Sequence, residues 1–213
     1  MKFNELVETV GDEPLFETGL LIAGEVDPDG LRRQLSRWTA TGKLYQLRRG
    51  LYALAPPFQK IRPHPFVVAN HLVRGSYVSC QSALAFYGII PEYTPVVISV
   101  ANARPGRWDT PLGSYVFRHV QARLLHGYRL MPLGGRQQAF VASPEKALLD
   151  LIYLQPGADD PAYLRELRLQ NLETMDLEEL RRLAELSASR KLVRAARVVA
   201  ELIAAEAEEY ETL

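Results

Sequence analysis

Residues 27–54 read DPDGLRRQLSRWTATGKLYQLRRGLYAL. Asp27 is a side chain that can accept hydrogen bonds from the exposed N–H groups of a helix start, and Pro28 suits the first helical position because its missing N–H would have had no partner there. From Pro28 to Thr41, Leu31, Leu35 and Trp38 recur at spacings of four and three. That spacing makes one apolar stripe on a helix and leaves Arg32, Arg33, Ser36 and Arg37 outside it. Gly42 ends the helix. The runs Leu44 to Leu47 and Leu51 to Leu54 then alternate around Arg48-Arg49-Gly50, which predicts a β-hairpin.

Upstream, Phe3, Leu6, Val7 and Val10 lie at helical spacing before Gly11. After Asp12-Glu13-Pro14, Thr18 is placed to cap a short apolar helix from Gly19 to Ala23 that Gly24 closes. Helix, short helix, basic helix and basic-tipped hairpin within about 55 residues is the order of a winged helix-turn-helix, whose third helix enters the major groove of DNA while the hairpin lies on the flanking backbone. On that reading Arg32, Arg33, Ser36 and Arg37 face base edges or phosphates. Lys43, Arg48 and Arg49 reach phosphate or minor groove. The same charges would also suit a small protein-contact module with solvated arginines.

The formal net charge of the 213-residue chain is zero, yet the charge is unevenly spread. Residues 1–29 hold one base against eight acids, whereas residues 30–91 hold nine bases and no acid. Residues 92–144 hold six arginines against two acids, and residues 145–213 nine bases against fifteen acids. A basic middle between acidic ends points to a polyanion-binding face that the overall balance hides. The apolar fraction of 47% and charged fraction of 23% are those of a globular protein with a real core. One cysteine, Cys80, allows no intrachain disulfide and no thiolate zinc site. The acid-rich N-terminus lacks the pattern of a signal peptide, and no run approaches the ~18 apolar residues of a membrane span. A cytoplasmic protein without membrane association is expected.

Ala55-Pro56-Pro57 and Arg62-Pro63-His64-Pro65 make a stiff connector, which sets the expected units as a winged domain over 1–58 and a C-terminal domain over 65–213. In the second unit, Phe66 to Val73 and Ser82 to Tyr87 read as helices, and Val96 to Val100 and Ser114 to His119 as strands. Arg104-Pro105-Gly106-Arg107 reads as a turn. Arg129 to Leu133 and Ala139 to Ala142 flank Gly134-Gly135 as a hairpin, so three or four strands are expected. Ser143-Pro144-Glu145-Lys146 starts a helix that runs to about Leu154, and helical stripes fill the remainder. The fold class is α+β, a winged helix-turn-helix followed by a mixed C-terminal domain with a small sheet and C-terminal helices.

The chain carries few motifs of catalytic chemistry. No phosphate-cradling glycine loop, dinucleotide fingerprint or H-E-x-x-H helix is present, and the four histidines, His64, His71, His119 and His126, have no paired metal spacing. Cys80 sits in an apolar lead-in that favours a buried structural thiol. A magnesium-dependent nuclease would draw on Asp109 with Glu145 and Lys146, but the last two are adjacent in a helix's first turn, where capping is the expected role. Arg118-His119 reads as an RNA-contacting or acid-base pair or, more readily, as a structural pair on a strand. No catalytic residue, metal or cofactor is assigned.

Several segments together resemble the AbiEi-like antitoxins of abortive-infection systems. They are Arg48-Arg49-Gly50-Leu51-Tyr52; Ser82-Ala83-Leu84 with Tyr87-Gly88 and Ile90-Pro91-Glu92; Asp109-Thr110-Pro111-Leu112-Gly113 with Arg118-His119; and Ala142-Ser143-Pro144-Glu145-Lys146-Ala147-Leu148-Leu149-Asp150. The resemblance implies a type IV antitoxin active in phage defence. Its winged domain would repress its own operon at repeated operator sequences in double-stranded DNA, and its C-terminal domain would counter a nucleotidyltransferase-like toxin encoded beside it, without necessarily binding that toxin. Arg104, Arg107, Arg118, His119 and Arg123 are the candidate antitoxin surface, either for the toxin's nucleic-acid target or as an extended DNA footprint. The alternative expectation is a stand-alone winged-helix regulator whose C-terminal domain senses a ligand or a protein.

Overall fold

A computed structural model of the chain describes residues 1–22, 27–91 and 95–211, with side chains through residue 204. Ala23 and Gly24, expected to close the second helix, and Glu92 lie outside the described residues. The N-terminal elements are α1 (Phe3–Val10), β1 (Phe16–Glu17), α2 (Thr18–Leu21), α3 (Pro28–Ala40), β2 (Leu44–Arg48) and β3 (Leu51–Leu54). The three strands form an antiparallel sheet in the order β1-β3-β2. Helices and hairpin follow one another in the expected winged order, with β1 added to the hairpin's outer strand.

The larger unit follows with α4 (Pro65–Leu72), β4 (Tyr77–Val78), α5 (Cys80–Phe86), β5 (Val96–Ala101), β6 (Gly106–Thr110), β7 (Gly113–His119), β8 (Tyr128–Pro132) and β9 (Gln138–Ala142). After them come α6 (Pro144–Leu154), α7 (Pro161–Glu166), α8 (Leu177–Leu186) and α9 (Arg190–Glu211). Among the described residues the sheet has six strands in the order β6-β7-β5-β4-β9-β8, where three or four were expected. Its β5·β7 and β4·β9 pairs are parallel and the rest antiparallel, so the chain is α+β. The added strands carry weak signals. β4 is two residues long, and β6 reads GRWDT, a polar edge strand entered from a proline turn.

Side chains complete what the short strands leave open. β9 meets β4 at Val78↔Val141, and beside that contact Asn70 of α4 accepts from Phe140 N at 2.6 Å while donating to Ser76 O at 3.3 Å. An amide that pairs with backbone in both senses substitutes for a strand neighbour, as buried peptide groups require. Gln137, in the β8–β9 turn, bonds the connector on both sides of Pro63, accepting from His64 N at 2.8 Å and donating to Arg62 O at 3.1 Å. His64 in turn caps α4 by accepting from Phe66 N at 3.1 Å, so the helix begins at Pro65, one residue before the expected start.

Two cores form, and the hairpin belongs to both. Tyr52 and Leu54 of β3 pack with Leu6, Val10, Phe16, Leu31, Leu35 and Trp38 of the winged unit. Leu51 and Ala53 of the same strand, together with Leu47 and Leu15, join the large cluster that contains Val67, Val68 and Leu72 of α4. Successive residues of a strand point to opposite faces, so β3 is buried at all four positions because each face meets a different unit.

Candidate nucleic-acid interface

α3 starts where it does because the Asp27 carboxylate accepts from Asp29 N at 3.0 Å and Gly30 N at 2.9 Å. Its buried stripe is Leu31, Leu35 and Trp38, and Arg32, Arg33, Ser36 and Arg37 are all exposed. Arg32 lies 2.9 Å from Asp29 and Arg33 3.8 Å from Asp27, pairs whose members are each more than 60% exposed. Ion pairs so open to solvent contribute about 0–1 kcal/mol and are screened by salt, so a phosphate can displace the carboxylates. Arg37 has no ion pair among the described residues.

The hairpin cations divide by role. Lys43 places its ammonium 4.8 Å from the centre of the Phe3 ring, which packs edge-on against Trp38, so it braces α1 against α3. Arg49 is exposed at the tip, where Gly50 turns the chain at φ +81° and its carbonyl accepts from Thr18 N at 2.9 Å. Arg48 differs from the expectation of two tip arginines. A bulge between Gln46 and Arg48 turns it toward the larger unit. There it donates to Glu17 at 3.0 Å and to the carbonyl of His71 at 3.2 Å, with only 24% of its side chain exposed. The other oxygen of Glu17 is held by Arg74, so one carboxylate of β1 ties the wing and the segment after α4 together.

Of the C-terminal candidates, Arg104, Arg118 and His119 are exposed around the end of β7, where His119 Nδ1 is 3.1 Å from Ala103 O. Arg107 and Arg123 are already engaged. Arg107 chelates Asp109 at 3.0–3.1 Å, and Arg123 donates to Ser187 O at 2.7 Å, holding the turn before β8 against the end of α8. The hydrogen bond from Arg107, then that from Ser114, keeps the Asp109 carboxyl below the usual carboxylate range. The three residues that a nuclease would need are not assembled. Asp109 is exposed on β6, at one edge of the sheet, while Glu145 and Lys146 are buried in α6 with partners of their own.

Those partners form a polar centre that the chain's pattern hinted at but did not resolve. Ser143 caps α6 as expected, accepting from Lys146 N at 3.2 Å, and the Glu145 carboxylate accepts from Asp176 N at 2.8 Å at the start of α8. Lys146 Nζ reaches Asp150 at 2.7 Å, one turn on, with both side chains at most 4% exposed. The second Asp150 oxygen accepts from Tyr77 at 2.9 Å and Ser79 at 2.8 Å. Burial, and then the adjacent carboxylate, push both the Tyr77 hydroxyl and the Cys80 thiol far up. The available signal was a Lys and an Asp four apart in the otherwise apolar segment KALLDLIYL.

Among the described residues no group of His, Cys, Asp and Glu could hold a metal ion, and no helix is long and apolar enough to cross a membrane. No protein-family model and no curated protein matches the chain. Among solved structures it is similar to the crystal structure of the RV2827C protein from Mycobacterium tuberculosis, at a TM-score of 0.53 and 20% identity over 92% of this chain and 75% of that one, a likeness of fold.

Proposed function

We propose that the chain is a cytoplasmic DNA-binding antitoxin of the type IV, AbiEi-like kind. Its winged unit binds double-stranded operator DNA upstream of its own gene, and its larger unit counters a nucleotidyltransferase-like toxin encoded beside it. The observation that carries the DNA half is α3, whose buried stripe leaves Arg32, Arg33, Ser36 and Arg37 together on solvent within a winged order of elements. The antitoxin half rests on the resembling segments. Several of their residues, such as Lys146 and Asp150, are core residues, so they support a shared fold and leave the acting surface to the exposed Arg104, Arg118 and His119. The reading assigns no cofactor or catalytic residue.

The test is binding of the full chain to its upstream DNA across a salt series, alone and as the Arg33→Ala, Arg49→Ala double variant. Each phosphate contact releases counterions and contributes about 0.9 to the slope of log affinity against log salt. The double variant is therefore expected to bind at least about tenfold more weakly, with a slope reduced by up to roughly 1.8. Salt-independent binding, or a double variant that binds as the parent does, refutes the DNA half. Growth rescue on co-expression with the neighbouring gene tests the other half. DNA binding without rescue favours the stand-alone regulator, a reading supported by the Glu17 tie between the wing and the larger unit.

A further inference from the structure

β6 ends the six-stranded sheet, and among the described residues no strand pairs with its outer side. The two-residue turn Pro111-Leu112 makes Thr110 and Gly113 the closing pair of the β6–β7 hairpin, two residues that bond each other. Along an antiparallel ladder, opposed residues alternate between bonding each other and turning their N–H and C=O groups outward. Trp108 therefore bonds Tyr115, while Arg107 and Asp109 direct their backbone N–H and C=O away from the sheet. Those outward groups have no hydrogen-bond partner among the described residues. Open edges are ordinarily blunted by a bulge, a proline or a repelling charge. β8, at the other edge, ends on Pro132, which has no N–H to offer. β6 has no proline, and its register with β7 runs unbroken from Gly106 to Thr110.

Its side chains are as self-complementary as its backbone. Arg107 and Asp109 share one face of β6 and contact each other at 3.0–3.1 Å in a pair 58% and 63% exposed, so the edge is locally neutral and does not repel another like it. If a second β6 lies antiparallel with Trp108 opposite Trp108, Arg107 faces Asp109 of the second copy and Asp109 faces its Arg107. These are the residues with outward backbone groups, so each such pair closes two main-chain hydrogen bonds, and the two ion pairs merge into a ring of alternating charge. Centring the contact on Arg107 or on Asp109 keeps the main-chain bonding but sets Arg107 against Arg107 or Asp109 against Asp109, which is unfavourable. The half-buried Trp108 rings meet at the centre, at an unbonded position where opposed side chains come closest and aromatic pairs are favourable.

We propose that β6 is a homodimer contact, in which two copies of the chain join edge to edge, antiparallel and centred on Trp108, and so continue the sheet across both. Neither the contact nor its test involves DNA, so it stands apart from the DNA-binding reading. Two such short strands make a small contact, and the full chain is expected to dimerise in a concentration-dependent way in sedimentation velocity at up to about 200 μM. Arg107→Asp sets acid against acid at both charged pairs, and Asp109→Arg sets base against base; each is expected to weaken dimerisation about tenfold or more. A mixture of the two variants restores opposite charges at both pairs, so they should associate with each other about as tightly as the parent does with itself. Both side chains are exposed, so their replacement leaves the core intact, and a thermal melt of each variant verifies this. A parent that stays monomeric throughout the series, a dimer indifferent to either substitution, or two variants that fail to pair with each other overturns the proposal.

Discussion

Asp150 accepts three hydrogen bonds inside the core, from Lys146, Tyr77 and Ser79. A carboxylate so buried is tolerated because its charge is matched, and removing the match is costlier than the pair itself is stabilising. Lys146→Ala is therefore expected to destabilise the fold by about 3–5 kcal/mol in urea denaturation; a loss below about 1 kcal/mol would mean that the carboxylate does not depend on the ammonium. The neighbouring Cys80 thiol is raised by burial and by Asp150. Since the thiolate is the nucleophile, iodoacetamide should leave the native chain unmodified at neutral pH and alkylate it in denaturant. Rapid alkylation without denaturant would contradict the burial. His126 has both ring nitrogens buried without a partner, and burial, followed by the Lys146 charge, lowers its pKa. With the folded value below the unfolded one near 6.5, stability is complete above that pH. It then falls as the pH drops toward the folded value, because only the unfolded chain takes up the proton. His64 is lowered by burial and adds to the same slope. His126→Leu should shallow the loss of stability below about pH 6.5, and an unchanged slope would assign the titration elsewhere.

At the scale of elements, legibility follows how local the determining contacts are. α3 was readable because its cap, its stripe and its exposed arginines lie within one segment of chain. β4 and β6 were not, since one is two residues long and the other is held at the sheet edge by its pairing with β7 rather than by any alternation. The hairpin was readable as a hairpin, but the division of labour between Arg48 and Arg49 was hidden, because it depends on a bulge and on a carbonyl 23 residues away. That division makes a prediction about adjacent, chemically identical residues. Arg48→Ala removes hydrogen bonds to a carboxylate and a carbonyl in a partly buried joint and should cost about 1–3 kcal/mol. Arg49→Ala, at an exposed tip, should alter stability by less than about 0.5 kcal/mol. Thermal melts of the two variants decide it, and equal melting temperatures would mean that Arg48 does not brace the wing.

For the molecule as a whole, the proline-rich connector suggests two units that fold separately, yet the packing ties them through the hairpin. Leu15, Leu47, Leu51 and Ala53 of the first 58 residues are buried in the cluster built by the larger unit. Burying one leucine side chain is worth about 1.5–3 kcal/mol, so baring the three leucines would forfeit up to about 5–9 kcal/mol. A domain's whole stability is about 5–15 kcal/mol, and chains near 60 residues sit at the low end because they bury the smallest share of their surface. The winged unit should therefore not stand alone. A fragment ending at residue 58 is expected to be unfolded or aggregated by circular dichroism and NMR, and the full chain to unfold in one cooperative transition. If the fragment instead melts cooperatively by itself, near the temperature of the intact chain, then the face of β3 turned toward α4 contributes contact without contributing stability, and the wing can move independently of the domain behind it.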